Sequence, residues 1–533
     1  QNYTLGGNHL FGSLKVDWMA AYAKASEERL NERYAEYETE YIINNDNSDP
    51  KYPIMTAADP TDFDNLSGFE FGEITNENQY TEEEDVNFFA NFELPADFFG
   101  NGGTLKFGAR GRFKSKLRNN DFFEYDLEDL YPTLADVPVK SYTDPDFLAG
   151  EKYQAGTFAS EEWLGALDLN SSNGDAVEDE YLPGNFDIKE DVWAGYAMFN
   201  QKLSDKLSVL AGIRVENTKL ETEGNRVVYI EEDEDAGIEE GIEVQAVSDE
   251  NSYTNVLPGV HFKYDLNNST VLRFAWTNTL ARPNYEDMIP RAEIIFEDSE
   301  VVVGNPDLDP TTSMNFDLNA EHYFESVGII SGGVFYKEIN DFIYTFITEA
   351  PNDAYGPGTA GYDVFQPLNG DSASIFGAEL SFQRQLDFLP GFARNFSIYL
   401  NYTYLSSSAD GIRNEDGDER TDLDLPNTAP NMFNGSLGYA DKRFTARLSA
   451  NFSDSYIDEI GGNAFEDRYY DTQFFLDFNA SYAINSNLRL YTSVNNITNQ
   501  PLRYFQGVKE RTQQMEFYDI RLTFGLKYDL FKK

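Results

Sequence analysis

The feature that most constrains this chain is a two-residue alternation of apolar and polar side chains that recurs along its length. In one example, the apolar residues Phe444, Ala446, Leu448, Ala450 and Phe452 interleave with Thr445, Arg447, Ser449 and Asn451. Successive side chains of a β-strand point to opposite faces, so each such segment predicts a strand with one apolar and one polar face. Comparable segments lie near residues 86–94, 105–114, 207–215, 396–404, 476–482 and 518–528.

The lengths of these segments and of their connections distinguish an outer-membrane barrel from a soluble β-sheet protein. The alternating segments run for roughly 10–15 residues, against about 5–6 in the sheets of soluble proteins. Short turns are expected near 10–13, 98–103, 203–206, 265–268, 324–327, 387–393, 440–442 and 484–487. Long loops are expected near 26–82, 119–186, 221–251, 282–311, 348–372, 408–428, 457–470 and 498–513. Short periplasmic turns that alternate with long extracellular loops are typical of outer-membrane barrels and uncommon in compact soluble domains.

Composition agrees with a barrel and excludes several other classes. Aromatic residues make up 15% of the 533 residues, and no stretch approaches the length of a membrane-spanning apolar helix. The chain has no cysteine, which excludes disulfides and thiolate metal sites. A net charge of −53 disfavours binding to nucleic-acid phosphates. No zinc-protease motif, nucleophile elbow or phosphate-binding loop occurs, so we predict that the chain is not an enzyme.

The fold class that we predict is all-β: a transmembrane antiparallel β-barrel with about 17 visible strands, long extracellular loops and short periplasmic turns. An odd strand number is unexpected, because bacterial single-chain barrels have even numbers. The last strand is expected to end in the periplasm, and counting back makes the first strand run in the same direction. We therefore expect residues 1–533 to be part of a barrel that continues upstream.

Several short segments resemble the C-terminal barrel of TonB-dependent outer-membrane receptors. They are Thr277-Asn-Thr-Leu-Ala-Arg-Pro-Asn-Tyr285, Gly304-Asn-Pro-Asp-Leu-Asp-Pro310, Gly333-Val-Phe-Tyr-Lys-Glu-Ile-Asn-Asp-Phe-Ile343, Gly377-Ala-Glu-Leu-Ser381, Asn401-Tyr-Thr-Tyr404 and Val494-Asn-Asn-Ile-Thr-Asn499. Each is weak alone, but their order over about residues 270–530 is fairly specific. Residues 2–33 also resemble an internal barrel region of a large receptor subclass from glycan- and nutrient-scavenging Gram-negative bacteria.

The resemblance implies a 22-strand barrel with a plugged lumen, of which the N-terminal plug and first five strands are missing here. It implies that the protein binds a scarce nutrient, such as an iron chelate or an oligosaccharide, and imports it with TonB-derived energy. The implied partners are outer-membrane lipid and lipopolysaccharide, the TonB complex through a missing N-terminal segment, and a surface lipoprotein or other outer-membrane protein. A passive porin and a surface-binding barrel without energy-coupled transport remain the alternatives.

Candidate ligand-binding residues lie in the long loops. Two cations and five aromatic residues form this set: Arg282, Tyr285, Arg291, Tyr362, Phe365, Tyr469 and Tyr504. Aromatic rings can stack on sugars or aromatic ligands, but packing between loops is the alternative for each of them. The Arg282-Pro283 pair also has a structural interpretation, because Pro283 has no backbone N–H and must end or distort strand pairing.

Basic residues on the polar phase of the strands predict a charged lumen. They are Lys106, Arg110, Arg112, Arg214, Arg273, Arg447, Arg489 and Arg521. Charged side chains are tolerated in a barrel only where water or a polar partner fills the interior. We expect these residues to contact a plug or line a substrate route, and a generic water-filled lumen is the alternative.

The acidic excess collects in the long loops, for example at 231–235 and 414–424. Calcium prefers six to eight oxygen ligands, which makes Asp416, Asp418, Asp422 and Asp424 candidate ligands. The spacing does not match an EF-hand, and solvated, mutually repelling loops are the favoured alternative. No other cofactor is expected.

Overall fold

The computed structural model describes the whole chain except residues 99, 101, 144–154, 171, 172, 231–240, 297, 422 and 531–533. Its dominant element is a single antiparallel sheet, which we call the wall, whose 17 strands follow one another in chain order. We number them β1 (Asn2–Phe11), β2 (Leu14–Glu38), β3 (Glu70–Pro95), β4 (Gly103–Arg118), β5 (Phe186–Lys202), β6 (Leu207–Ile230), β7 (Gly241–Asn267), β8 (Thr270–Ala281), β9 (Thr311–Tyr323), β10 (Gly328–Asn340), β11 (Ser372–Gln385), β12 (Phe396–Asp410), β13 (Asn431–Ala440), β14 (Phe444–Ser453), β15 (Gln473–Ala483), β16 (Leu488–Asn495) and β17 (Arg521–Tyr528).

Each wall strand pairs with its neighbours in sequence, so the sheet is a meander. The register of β1 against β2 runs without interruption from Asn2↔Ala23 to Phe11↔Leu14 across a tight turn. The same pattern continues to β17, which pairs with β16 from Leu488↔Tyr528 to Asn495↔Arg521. The predicted strand number and antiparallel order are therefore confirmed. Two short strands, Asp121–Glu124 and Asp175–Ala176, pair beside the upper part of β3.

The sheet curves so far that loops attached near its two ends meet. The hydroxyl of Thr512, in the loop before β17, donates a 2.8 Å hydrogen bond to the carbonyl of Pro50, in the loop after β2. In the same contact, the rings of Tyr52 and Phe517 stack with centroids 6.1 Å apart. The curvature of a long antiparallel sheet follows from the right-handed twist of its strands.

Alternation along the strands places apolar side chains on the outer face. Leu522, Phe524 and Leu526 of β17 all point away from the protein, and Phe524 is 70% exposed. Leu448 in the middle of β14 is likewise exposed. A wall that presents large apolar side chains on its outer face is suited to lipid rather than to water.

Four strands extend well beyond the ends expected from sequence. Strands β2, β3, β6 and β7 contain 25, 26, 24 and 27 residues, whereas loops were expected to begin near residues 26 and 221. Their upper parts carry polar residues on the outer face, where Lys24 bonds Glu82 and Glu84 at 2.5 and 3.1 Å. Backbone pairing continues above the apolar band because these polar faces are compatible with water. Loss of the apolar alternation marked the membrane boundary, not the end of the strand.

The long connections between wall strands contain short elements of their own. The strands are Ile43–Asp46, Ile54–Ala57, Val139–Ser141, Thr157–Ala159, Ala292–Ile295, Glu300–Val303, Ile343–Glu349, Asp363–Asn369, Ile412–Arg413, Glu419–Arg420, Tyr456–Glu459, Arg468–Tyr470, Leu502–Gln506 and Thr512–Glu516. The helical turns are Leu66–Gly68, Leu134–Asp136, Glu161–Ala166, Glu178–Tyr181, Glu286–Met288 and Gly391–Asn395. Within the described residues, none of the helices has the length and apolar character to cross a membrane.

The buried apolar clusters lie mostly in these loops and at the upper ends of the strands, and not in the middle of the wall. One cluster joins Phe342 and Tyr344 to Ile412, Leu425 and Ile457, residues from three successive long loops. The long loops thus pack together into what we call the extracellular layer, named by analogy with barrels whose long loops lie outside the cell.

Candidate functional site

The loop between β8 and β9, residues 282–310, folds onto the polar face of the wall, and we call it the inward loop. Its Met288, Ile289 and Leu308 pack against Phe186 and Ile188 of β5. Ile188 and Glu190 of β5 pair in register with Lys116 and Lys114 of β4. Ile188 therefore points to the same face of the sheet as the basic side chains of β4. The inward loop therefore lies on the lumen side of the sheet.

The Gly304–Pro310 motif holds the inward loop in this position. A Cβ atom on Gly304 would lie 1.7 Å from the carbonyl oxygen of Ile289, so no side chain fits there. The next residue, Asn305, donates its backbone N–H to the carbonyl of Asp287 at 2.6 Å and its side-chain amide to Pro367 at 2.9 Å. Leu308 has no exposed surface. The motif thus closes the loop on itself and ties it to the following loop.

Arg282 begins the inward loop and is bound by carboxylates of the wall. Its guanidinium donates to Glu216 at 2.8 Å and to the hydroxyl of Thr218 at 3.1 Å, and Glu190 lies 3.5 Å away. The guanidinium of Arg214 also bonds the carboxylate of Glu216, at 2.5 Å. The charges of two arginines and two largely buried carboxylates therefore balance one another, and Arg282 anchors the loop to the lumen face.

Tyr285 and Arg291 are also engaged within the protein. The ring of Tyr285 lies 5.2 Å from the ammonium of Lys114, and burial next to the carboxylate of Glu190 raises the pKa of its hydroxyl. Arg291 bonds Glu293 at 2.5 Å and is largely buried. Their present contacts agree with the structural interpretation of this motif, while direct ligand contact stays a prediction.

A cavity of about 880 Å³ opens beside the inward loop. It lies between this loop, the loop at 341–371 and the upper ends of β9 and β10, and Glu459 reaches it from a third loop. Its lining comprises Arg282, Pro283, Asn284, Asp287, Glu300, Val302, Thr311, Ile339, Phe342, Ile343, Tyr344, Thr345, Phe365, Pro367 and Glu459. Thr311 and Ile339 share the lumen phase of their strands, so the cavity faces the lumen.

The carboxylates of this cavity lie in an environment that disfavours their charge. Burial raises the pKa of Asp287, and the neighbouring Glu286 adds to that effect. Burial also raises the pKa of Glu300, with further contributions from Asp298, Asp363 and Glu459. Both groups lack an ion-pair partner among the described residues, whereas Glu459 bonds Arg468 at 2.8 Å. The cavity thus carries uncompensated negative charge beside apolar walls.

The other four predicted aromatic residues fall in three places. Phe365 lines the cavity, and Tyr362 packs at the edge of a buried cluster around Val301. Tyr469 stacks on Phe505 with ring centroids 5.1 Å apart and an interplanar angle of 3°.

Tyr504 lies on the other face of the same small loop sheet. There its ring packs against that of Tyr470, with ring centroids 4.9 Å apart, and the ring of Tyr470 packs against that of Tyr456, with centroids 5.5 Å apart. The structure therefore joins Arg282 and Phe365 in one cavity, while Tyr469 and Tyr504 lie on opposite faces of a separate loop sheet.

The predicted lumen cations divide into two groups. Arg112, Arg214 and Arg273 pair with Asp85, Glu216 and Glu321, and Arg110 bonds the amide oxygen of Asn87. By contrast, the described residues supply no ion-pair partner for Lys106, Arg447, Arg489 or Arg521. Three of these, Lys106, Arg447 and Arg489, lie within four residues of a short turn. The unpaired cations are thus concentrated near the end of the wall that carries the short turns, and contact with a plug stays a prediction.

The acidic loop proposed for calcium is only partly described. Asp422 lies outside the described residues, as do the acidic residues at 231–235. Asp416 and Asp418 lie in the turn between Ile412–Arg413 and Glu419–Arg420, and Asp424 follows on the same loop. Among the described residues no group of three or more acidic or histidine side chains is arranged to hold a metal ion. Calcium binding therefore stays a prediction.

Comparison with known proteins places this wall and its loops in a family. The model of the TonB-dependent receptor-like β-barrel matches residues 17–497. The chain belongs to this family. TonB-dependent receptors of this kind reside in the outer membrane, which confirms the predicted location and agrees with the outward apolar face of the wall. The matched family and the compared structures are transport receptors and not enzymes, which confirms the prediction of a non-enzymatic chain.

Solved receptors share the fold at low sequence identity. The ferric-catecholate import receptor Fiu from E. coli K12 has 12% identity and a TM-score of 0.59, covering 99% of this chain and 64% of its own. The unliganded ferric citrate transporter FecA has 12% identity and a TM-score of 0.58, covering 98% and 60%. The iron-regulated outer membrane virulence protein of Vibrio cholerae is 24% identical over 204 residues, 38% of this chain and 29% of its own. The chain thus spans less than two thirds of the length of each.

Sequence reasoning missed most of the cavity. Asp287, Glu300 and Glu459 were not singled out, because they are three of many loop carboxylates and lie far apart in the chain. The clearest local signal was the Gly304-Asn-Pro-Asp-Leu-Asp-Pro310 motif, which carries part of the family resemblance but does not predict the burial of Leu308 against the wall.

Proposed function

We propose that this chain is the barrel part of a receptor that binds a scarce nutrient at its extracellular layer and imports it with TonB-derived energy. The observation that carries the proposal is the combination of a family member's wall with a loop that folds into its lumen. A ligand captured among the loops would meet the inward loop and its cavity before the lumen below it. An inward loop narrows the route, which favours a gated receptor over an open pore.

The proposal includes segments that precede this chain. A plug domain and further strands upstream would complete the barrel, and a short N-terminal segment would engage the TonB complex. The unpaired cations Lys106, Arg447 and Arg489 are the residues that we expect the plug to contact, because each lies on the polar face without an ion-pair partner in the described chain. Lipopolysaccharide outside and a surface lipoprotein over the loops are the further proposed partners.

Uptake in whole cells tests the transport proposal. A strain that lacks the gene is compared with the same strain carrying it on a plasmid, using labelled ferric chelates, oligosaccharides, cobalamin and peptides. We expect the plasmid to restore uptake of at least one of these, and a protonophore to abolish the restored uptake. Unchanged uptake of every ligand after deletion would refute import by this protein.

The same experiment separates the two alternatives. Restored uptake that resists the protonophore, together with steady ion conductance of the purified receptor in planar bilayers, would identify a passive porin. Surface binding of a ligand that never becomes protected inside the cell would identify a surface-binding barrel.

A further inference from the structure

The cavity beside the inward loop has the size and the mixed surface of a ligand site. Its volume of about 880 Å³ lies within the range of about 300–1,000 Å³ usual for small-molecule pockets. Three loops and two wall strands contribute to it, so its shape depends on the packing of the whole extracellular layer. None of the predicted ligand residues except Arg282 and Phe365 lines it.

The charges around the cavity do not cancel. Among the residues that the structure describes, Arg282 is the one basic side chain in its lining, and it is already neutralised by Glu216 and Glu190 behind it. Asp287 and Glu300 face the cavity without an ion pair in the described chain, and Glu459 is matched by Arg468, which lies outside the lining. The uncompensated charge is therefore that of two half-buried carboxylates, which an incoming cation would neutralise.

The remaining walls are apolar and aromatic. Phe342, Tyr344 and Phe365 bring three rings to the cavity, and Ile343 and Val302 add aliphatic surface. Phe342 and Tyr344 are themselves buried in the core that joins the loops, so their rings are fixed in position. Aromatic faces attract cations and also cover apolar groups, so the walls suit a charged head with an organic body.

We propose that this cavity binds an organic cation, whose ammonium or guanidinium group is neutralised by Asp287 and Glu300 and whose body packs against Phe365 and Tyr344. An anionic ligand would add to the charge that the cavity already carries. A bare metal ion fits less well, because no metal-holding group of side chains occurs in the described residues. This inference rests on the proposed function only in naming the class of imported ligand, since binding itself needs no transport.

Three probes of equal shape test the charge requirement. Benzamidinium, neutral benzamide and anionic benzoate are titrated into the receptor in detergent at pH 7.5 and low salt, and binding is followed by calorimetry or ligand-observed NMR. We expect benzamidinium to bind at least tenfold more tightly than benzamide, and benzoate not to bind. Equal binding of benzamidinium and benzamide would overturn the proposal without any variant.

Two variants and a matched control place the binding in this cavity. Glu300→Gln should weaken benzamidinium about tenfold while leaving benzamide unchanged, and Phe365→Leu should weaken both probes. Glu161→Gln is the control, because Glu161 is an exposed carboxylate of the extracellular layer and does not line the cavity. If Glu161→Gln weakens benzamidinium as much as Glu300→Gln does, the cation is not bound in this cavity and the proposal fails.

Failure of this inference and failure of transport give different results. Binding of benzamidinium that depends on Glu300, in a protein whose deletion changes no uptake, would keep the cavity assignment and remove the transport proposal. Energy-dependent uptake by a receptor that does not bind the cation would do the opposite.

Discussion

In the wall, apolar side chains face outward, and Leu522 and Phe524 of β17 expose 68% and 70% of their surface. In the inward loop, by contrast, Ile289 and Leu308 have no exposed surface at all. The wall follows the rules of a protein dissolved in lipid, in which apolar groups need no protein partner. The extracellular layer follows those of a soluble domain, with buried clusters and enclosed ion pairs. The two regions should therefore respond to different kinds of mutation.

The largest effect is expected from Gly304→Ala. The new methyl group would lie 1.7 Å from the backbone oxygen of Ile289. Because this oxygen is a main-chain atom, it cannot move aside as the end of a flexible side chain could. We expect the inward loop to lose its packed position, at a cost of more than about 4 kcal/mol to the local structure. Protease cleavage within residues 282–310 should rise sharply, measured on the folded receptor in detergent.

The wall should be unaffected by this change, so the heat-dependent gel shift of the barrel should persist. Gly165→Ala is the control, because a Cβ there meets nothing within 4 Å. A Gly304→Ala receptor as resistant to protease as Gly165→Ala would contradict the packing described for the loop.

The second effect concerns a buried ion pair of the extracellular layer. Asp467, 1% exposed, binds Arg420 through two bonds of 2.8 and 2.6 Å that join two loops. Asp467→Asn leaves Arg420 without its counter-charge and should cost about 3–5 kcal/mol in that layer. Hydrogen exchange should show faster opening of residues 411–430.

An exposed pair in the same layer provides the comparison. Lys140 and Glu161 are 3.5 Å apart and largely exposed, so Glu161→Gln should change stability far less than Asp467→Asn does. Equal effects of the two substitutions would mean that the extracellular layer is not packed as a soluble core.

The third effect belongs to the wall. Leu448→Arg places a charge on the outer face in the middle of β14 and should cost about 2–4 kcal/mol near the centre of the bilayer. Ser449→Arg, one residue away on the polar face, should be tolerated. Folding yield into lipid vesicles, read by the gel shift, measures both, and equal yields would argue against the assigned faces.

The smallest effect is a pH dependence of the cation site. Asp287 and Glu300 have raised pKa values, so they become neutral at a higher pH than ordinary carboxyl groups. Burial is the main cause of both shifts, and the neighbouring charges that add to or oppose it are Glu286 and Arg291 around Asp287, and Asp298, Asp363 and Glu459 around Glu300. Because the cation requires the charged form, benzamidinium affinity should fall as pH decreases, and the fall should begin at a higher pH than it would for ordinary carboxyl groups. A benzamidinium affinity that stays unchanged down to the pH range of ordinary carboxyl groups, near pH 4, would contradict this prediction.

The sequence predicted the wall far better than the layer above it, for a physical reason. Alternation is local, so Phe444 and Leu448 reveal their shared face within a few residues, and the strand number follows from repeating that test. The cavity instead joins Asp287, Phe365 and Glu459, whose approach depends on how three loops fold over one another. No local pattern encodes such contacts. Arg282 and Phe365 were identified from their residue type and loop position, but nothing in the sequence marked their acidic neighbours.

The wall separates an outer lipid face from an inner aqueous one, and cysteine scanning along β14 measures that separation residue by residue. The chain has no native cysteine, so single cysteines can be placed at each position from 444 to 453 without a background signal. Spin labels at the even positions should be relaxed by lipid-soluble oxygen, and labels at the odd positions by a water-soluble nickel chelate. We expect a strict two-residue period with this phase. Loss of the period, or the reverse phase, would contradict it.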